Sequence, residues 1–271
     1  MLKRVVTSII AAAAVVTALV AGTLVIRLLI AAVAVIACHE MFDSLTRAGL
    51  KPFRWPGFMF SALMLPALHW AGVGGLLMLL ALCVVALMSR LVAKFDMELK
   101  DVFASAFVML YPGLLLSMLM DMTYLPQPRG MAGILLVLCA AIFTDSFAYF
   151  IGVLFGKKKL CPKISPKKTI AGAIGGLFGG GAAAAVLSML TPMLFGIKTS
   201  MPAFLAIGLI CAVVSQFGDL AASCIKRMCG VKDFGKIMPG HGGIMDRLDS
   251  ILFCAPIVYT VFILAGRFIF I

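Results

Sequence analysis

Long apolar runs, separated by short breaks that hold the charges, constrain this chain more than any other feature. Hydrophobic residues make up 63% of its 271 positions and charged residues only 13%, a composition far from that of soluble globular domains. About 20 consecutive apolar residues suffice for a helix to cross the hydrocarbon core of a bilayer. The sequence therefore predicts an all-α, polytopic integral membrane protein.

The apolar runs divide the chain into about nine predicted transmembrane helices. Glycines at 71–75 predict a turn between the third and fourth helices, and Pro112 predicts a kink in the fifth. We expect a single membrane domain, in which 1–125 supplies scaffold helices and 126–271 supplies the catalytic helices and loops. The predicted helices are 5–22, 23–42, 58–70, 73–92, 102–120, 131–155, a seventh opening at 171, 203–227, and a ninth from 251.

The net charge of +12 does not indicate nucleic-acid binding, because the chain has no soluble basic domain. The lysines and arginines lie in the breaks between apolar runs, where anionic lipid head groups, phosphorylated substrates and topology explain them better. With nine spans and the N-terminus inside, 19 of the 23 basic residues fall in inner breaks. The positive-inside rule then predicts a cytoplasmic N-terminus and site, and we expect a multi-pass protein of the cell inner (plasma) membrane.

One stretch, 215–249, concentrates charge against this background. Nine charged residues lie in its 35 positions, and ionisable groups at membrane depth are costly enough to indicate function. Asp219 lies seven residues before Lys226 on one face of a predicted helix, so its carboxylate is expected about 10 Å below the basic end of that helix. A carboxylate at that depth needs a cation, supplied by Lys226, by Arg227 or by a metal.

A second acidic pair, Asp246 and Asp249, follows the glycine-rich link 239–243. With Asp219 this makes three carboxylates in a basic region, which suits magnesium, because that ion binds one or two carboxylates plus substrate phosphates. Nearby lysines and arginines are suited to phosphate oxygens. Spacing alone leaves three functions open: phosphoryl or nucleotidyl transfer, a structural ion network, or ion-coupled transport.

These residues resemble a known family pattern. The run SCIKR at 223–227, the pair KD at 232–233 and the run PGHGGIMDRLD at 239–249 closely resemble the signature of phosphatidate cytidylyltransferases, the CDP-diacylglycerol synthases. The resemblance extends to SQFGDL at 215–220, SPKKT at 165–169 and DSFAY at 145–149, and covers about 140–250. A pattern with this many fixed positions is highly specific.

The resemblance implies an enzyme that converts CTP and phosphatidate to CDP-diacylglycerol and pyrophosphate. It implies Mg²⁺, with a second cation left open, ligated by Asp219 and Asp246 with Asp249 as a further ligand. Membrane lipids and a homodimer are the other expected partners. The residues expected to be catalytic are Asp219, Asp246, Lys226, Arg227 and Arg247; those expected to bind substrate are Ser223, Lys232, Gly242, Gly243, His241, Lys167, Lys168 and Asp145.

Several assignments stay open at this point. Ala171 and Val153 stand where many family members have glutamate and arginine, so no role is carried over to them. A CTP-dependent lipid kinase of the dolichol-kinase type is the nearest enzymatic alternative, and an ion-coupled transporter is the alternative from another class. His241 is either a phosphate donor or a residue that shapes its loop, and Lys167 and Lys168 either bind lipid phosphate or set topology. His39 and Glu40 are interpreted as solvated interfacial residues.

Overall fold

The computed structural model describes residues 2–94, 98–238, 240 and 242–270. The chain forms two compact units. The first contains Met1–Thr123 and Lys226–Leu248, and the second contains Tyr124–Ile225 and Asp249–Ile271. The first division falls near the boundary predicted at 125, but the charged segment Lys226–Leu248 belongs with the N-terminal helices. The prediction of a single membrane domain stays a prediction.

The first unit is built from helices that follow the predicted apolar runs. Pro112 lies inside a π-helical turn, Met109–Leu114, between two short helices. Because proline has no N–H to donate and its ring crowds the preceding turn, the predicted kink takes this wider form. The helices are α1 Leu2–Ala21, α2 Thr23–Arg47, α3 Trp55–Ala93, α4 Leu99–Val108 and α5 Leu115–Asp121, and a 3-10 turn, Met122–Tyr124, follows.

Helix α3 is interrupted where the sequence predicts a turn. Gly72 has φ 57° and ψ −149°, a conformation that side-chain-bearing residues rarely adopt. A Cβ on Gly75 would collide with the carbonyl oxygen of Ala67. Residues eight apart in a straight helix are separated by about 12 Å along its axis, so the chain turns back sharply at Gly72.

The second unit holds the remaining helices and a small hairpin. The segment 156–168, predicted to be a loop, contains two antiparallel strands that pair Lys159 with Thr169 and Cys161 with Ser165. Thr169 then caps the next helix, because its hydroxyl accepts the N–H of Gly172 at 3.1 Å. The elements are α6 Arg129–Phe155, β1 Lys159–Cys161, β2 Ser165–Thr169, α7 Ile170–Phe195, α8 Met201–Met228 and α9 Met245–Ile269.

Seven helices in the described part of the chain are long and apolar enough to cross a membrane. This confirms the all-α, polytopic fold. The number nine stays a prediction, since α3 is counted once although it is broken at Gly72, and α1 contributes only the shorter apolar segment Ala12–Ala21. Helices α2 to α9 otherwise follow the predicted runs closely, with one exception at the start of α9.

Helices α6 and α7 pack closely because α7 presents glycines to its neighbour. A Cβ on Gly179 would lie 2.6 Å from Cβ and Cγ of Phe147 and 2.8 Å from the carbonyl oxygen of Phe143. A Cβ on Gly176 would lie 3.0 Å from the carbonyl oxygen of Thr144. Small residues at such contacts let helix backbones approach in a bilayer, where packing rather than the hydrophobic effect drives association.

We expect Gly179→Ala to destabilise the second unit by about 1–3 kcal/mol, the usual range for overpacking, because the colliding atoms are backbone or adjoin it. Gly74→Ala in α3 is the matched control, since nothing lies within 4 Å of a Cβ at that position. Thermal unfolding of the purified protein in detergent should show a lower midpoint for the Gly179 variant only. Equal midpoints for both variants would contradict the close packing.

Candidate functional site

Asp246 is the centre of a charged cluster in the first unit. Its Oδ1 accepts Nζ of Lys226 at 2.7 Å, and its Oδ2 accepts the backbone N–H groups of Phe234 and Gly243, each at 2.9 Å. The Asp246 side chain is 3% exposed and that of Lys226 is 14% exposed. Nζ of Lys226 also lies 5.3 Å from the ring centroid of Phe234. We call these residues the loop cluster.

The glycine-rich link folds so that Asp246 can be held in this way. Gly242 has φ +84°, and a Cβ there would lie 2.8 Å from Oδ2 of Asp246. Met238 donates its N–H to the carbonyl oxygen of Gly242 at 3.0 Å. Asp246 follows in the first turn of α9, where the helix dipole stabilises a carboxylate.

Glu40 does not lie where the sequence interpretation placed it. It is 3% exposed, and its carboxylate accepts the N–H of Ile244 at 3.1 Å and that of Met245 at 2.8 Å. The interpretation of Glu40 as a solvated interfacial residue is therefore wrong. His39, its neighbour, is exposed as expected. A usable signal was the lack of any basic residue three or four positions from Glu40 on its own helix.

The contacts of Glu40 also explain the start of α9. The sequence predicted that the ninth helix begins at 251, but it begins at Met245. The predicted start left out the charged residues Asp246, Arg247 and Asp249. In the structure, carboxylate oxygens of Glu40 and Asp246 accept the N–H groups that a helix start leaves unpaired. A partner about 200 positions away in the sequence thus extends the helix by about two turns.

Asp219 belongs to a second charged cluster, in the second unit. Its Oδ2 lies 2.6 Å from Nζ of Lys168, and the two side chains are 31% and 24% exposed. The hydroxyl of Ser223 lies 3.5 Å from Oδ1 of Asp219. The partner of Asp219 is therefore a lysine of β2 and not Lys226 or Arg227 of its own helix, the cationic side chains that the spacing suggested.

The part of α9 from Asp249 onward packs against α8 beside Asp219. A Cβ on Gly218 would collide with the carbonyl oxygen of Asp249 and would lie 2.9 Å from the Phe253 ring. Ser250 donates its hydroxyl to Oδ2 of Asp145 at 2.9 Å, and its N–H donates to Oδ1 of Asp249 at 2.9 Å. Asp249 is 8% exposed. The predicted residues Asp145, Lys168, Asp219, Ser223 and Asp249 thus lie in one unit; with Ser250 we call them the α8 cluster.

The remaining predicted site residues divide by exposure. Cys229, which was not predicted to belong to the site, lies between Arg227 and Lys232 in sequence. It is buried, and because burial raises the pKa of its thiol, it is a poor nucleophile. Gly243 is buried and its N–H is engaged by Asp246, while Gly242 is partly exposed. His241 lies outside the described residues. The exposed basic side chains are Lys167, Arg227, Lys232 and Arg247.

The carboxylates match the donor type that magnesium prefers. The described residues contain no group of three or more His, Cys, Asp and Glu side chains arranged to hold a metal ion. Magnesium requires fewer, since it commonly binds one or two carboxylates and completes its shell with water and substrate phosphates. Asp219 fits that role, because among the described residues its Oδ1 meets the Ser223 hydroxyl alone, at 3.5 Å.

The fold is that of a polytopic α-helical membrane protein. In each charged cluster a lysine pairs with a carboxylate, and these residues belong to the sequence motif. The comparisons then identify the family. The chain matches the Cytidylyltransferase family over residues 2–265, and it belongs to that family, which confirms the resemblance seen in the sequence.

Similar proteins carry names that agree with this family. The chain is 39% identical over 166 residues to a phosphatidate cytidylyltransferase of Thermotoga maritima, a match that covers 60% of each chain. It is 42% identical over 144 residues to a Staphylococcus aureus protein of the same name, covering 52% of each. A Bacillus subtilis protein of that name is 44% identical over 126 residues, covering 45% of this chain and 44% of the relative. The chain therefore spans 60% or less of these relatives.

We expect Asp246→Asn to loosen the turn before α9. An amide oxygen is a weaker acceptor than a carboxylate oxygen, and in the orientation that keeps both backbone N–H groups on that oxygen the amide NH₂ would face the Lys226 ammonium. Hydrogen exchange at the amides of Phe234 and Gly243 should accelerate. Asp233→Asn, an exposed carboxylate in the same segment, is the matched control and should leave those rates unchanged. Unchanged exchange in the Asp246 variant would contradict the loop cluster.

Proposed function

We propose that this protein transfers the cytidylyl group of CTP to phosphatidate, giving CDP-diacylglycerol and pyrophosphate. One observation carries the proposal. Two motif carboxylates, Asp246 and Asp219, each hold a lysine, at 2.7 and 2.6 Å, in a chain that is 63% hydrophobic. The names of the relatives and the family match support the same reaction.

Each lysine–carboxylate pair offers both kinds of group that a nucleotide triphosphate requires. The ammonium group of Lys226 or Lys168 is suited to bind phosphate oxygens. The carboxylate with which that lysine is paired is suited to bind a cation. Exposed Arg227, Lys232 and Arg247 add fixed positive charge in the same sequence motif. We assign these residues to binding the triphosphate and the phosphatidate head group, with Lys167 and Ser223 as further contacts.

The reaction requires no general base from the protein. A phosphate oxygen of phosphatidate attacks the α-phosphorus of CTP and forms a new P–O bond. The bond between that phosphorus and the oxygen bridging to the β-phosphate breaks, and its electrons leave with pyrophosphate. Because phosphatidate is already anionic, the difficulty is to bring two polyanions together, and fixed cations stabilise the charge that builds up.

We propose that Mg²⁺ is the cofactor and that Asp219 and Asp246 hold it, with Asp249 as a further ligand. When bound, it supplies Lewis-acid stabilisation of the phosphate oxygens. The protein's part is to present carboxylate oxygens whose position is fixed by neighbours, as the N–H groups of Phe234 and Gly243 fix Asp246. A second cation and a homodimer stay predictions.

The proposed reaction is tested with purified protein, CTP, phosphatidate and Mg²⁺. We expect pyrophosphate and a CDP-lipid as products, and we expect Asp219→Asn and Asp246→Asn each to lower turnover on the order of 100-fold or more, the scale at which a charge-stabilising group acts. Removal of Mg²⁺ by a chelator should abolish turnover and its return should restore it. Asp43→Asn, which affects a partly exposed surface ion pair with Arg54, is the control and should stay active.

The products distinguish this proposal from its rivals. CDP and a phosphorylated lipid formed from a lipid alcohol, without pyrophosphate, would replace the proposed reaction by lipid phosphorylation. Movement of an ion or solute in vesicles without any turnover of CTP would replace it by transport.

We further propose that the protein lies in the inner (plasma) membrane with the hairpin and the charged segment in the cytoplasm. The relatives come from bacteria, and the basic residues concentrate on one predicted side. CTP is available on that side, and phosphatidate reaches the site from the inner leaflet.

Two exposed lysines in the second unit test this orientation. Lys163 lies in the hairpin and Lys198 in the connection between α7 and α8. We expect a membrane-impermeant maleimide to label Lys163→Cys only in inverted vesicles and Lys198→Cys only in intact spheroplasts, with the wild-type cysteines as background. The reverse labelling would place the site outside.

A further inference from the structure

We propose that Glu40 of α2 is a positioning residue for the reaction, which fixes the turn that carries Asp246 without touching a substrate. This inference rests on the proposed function of the same site. It assigns a role to a residue that lies far from the family motif in sequence and was not among the predicted site residues.

Both oxygens of the Glu40 carboxylate accept backbone N–H groups of the turn before Asp246. Oε1 accepts the N–H of Ile244 at 3.1 Å and Oε2 accepts the N–H of Met245 at 2.8 Å. The two donors are neighbours in the chain, so the carboxylate binds one edge of the turn at two points. A bidentate contact of this kind fixes orientation as well as distance, as it does for planar carboxylate pairs in general.

The surrounding backbone is shaped to admit the Glu40 side chain. A Cβ on either Gly235 or Gly243 would collide with the carboxylate of Glu40. Gly243 belongs to the glycine pair of the family motif. Its lack of a side chain is therefore explained by the approach of Glu40, in addition to the close contact between Gly242 and Asp246.

Glu40 and Asp246 together take up three consecutive N–H groups. Gly243 donates to Asp246, and Ile244 and Met245 donate to Glu40. These groups open α9, where the helix dipole favours negative charge. Glu40 thereby holds the two residues that lie between Gly243 and Asp246 in the chain, and it limits how far the Asp246 carboxylate can move.

Helix α2 also contacts Phe234, whose backbone N–H is another donor to Asp246. The hydroxyl of Ser44, one turn after Glu40, lies 3.4 Å from the carbonyl oxygen of Phe234, and the N–H of Phe234 donates to Oδ2 of Asp246. Ser44 is fully buried. One helix thus supports the segments on both sides of the Asp246 carboxylate, which is the arrangement expected of a residue that orients a ligand-binding group.

The test combines hydrogen exchange with turnover in Glu40→Ala, Glu40→Gln and the control Asp43→Asn. We expect the amides of Ile244 and Met245 to exchange faster in Glu40→Ala, while the rest of the first unit keeps its wild-type rates. Turnover should fall about 10–100-fold, the usual effect of losing a group that orients a ligand, and kcat should fall more than the KM for CTP rises. Glu40→Gln keeps the size and one acceptor, so both effects should be intermediate.

Each outcome is decisive. Unchanged exchange at Ile244 and Met245 in Glu40→Ala overturns the contact itself. Faster exchange with wild-type turnover overturns the positioning role and leaves the proposed reaction standing. If Glu40→Ala fails to fold, Glu40→Gln decides by the same two readouts. A wild-type protein without turnover overturns the proposed reaction, and the exchange rates then decide the contact alone.

Discussion

The structure depends on the cost of placing ionised carboxylates in a largely apolar protein. A buried charge is tolerated only when it is paired or accepts hydrogen bonds. Asp246 meets this condition with one lysine and two backbone N–H groups, and Glu40 meets it with two backbone N–H groups. These acceptors decide where α9 begins. The fold of the charged segment is in this sense a consequence of satisfying two side chains.

Close backbone approach is the second requirement, and glycine provides it. At Gly242 and Gly243 the missing side chains leave room for Asp246 and Glu40, and at Gly218 they leave room for the backbone of α9. The same logic holds for Gly179 between α6 and α7. The glycines of the motif are therefore explained by contacts with carboxylates and with backbone, and not only by the contacts that they would make with phosphate.

Much of the fold follows from hydropathy, because an apolar run long enough to cross a bilayer has few alternatives to a helix. The start of α2, the bounds of α6 and α8, the break at Gly72 and an irregularity at Pro112 were all predictable for local reasons, whereas α2 runs five residues beyond its predicted end, to Arg47. The start of α9 was not, since its N–H groups are satisfied by Glu40, about 200 residues earlier. Local sequence left Lys226, Arg227 or a metal as the partner of Asp219, whereas the observed partner, Lys168, lies on a hairpin that periodicity did not indicate.

The motif residues were recognisable from spacing, but their pairing was not, and the pairing carries chemical information. A lysine that neutralises a carboxylate keeps both groups in place at low electrostatic cost while substrates are absent. In the proposed reaction, polyanionic substrates and a metal ion would bring charge of both signs, so each member of a pair could exchange its partner without leaving a buried charge uncompensated. This holds separately for Lys226 with Asp246 and for Lys168 with Asp219. If the protein acts on two polyanions as proposed, it accounts for the carboxylates that each unit holds tightly. The partners of Glu40 are backbone N–H groups and not mobile cations, so Glu40 is suited to hold the turn still while the lysines and carboxylates change partners.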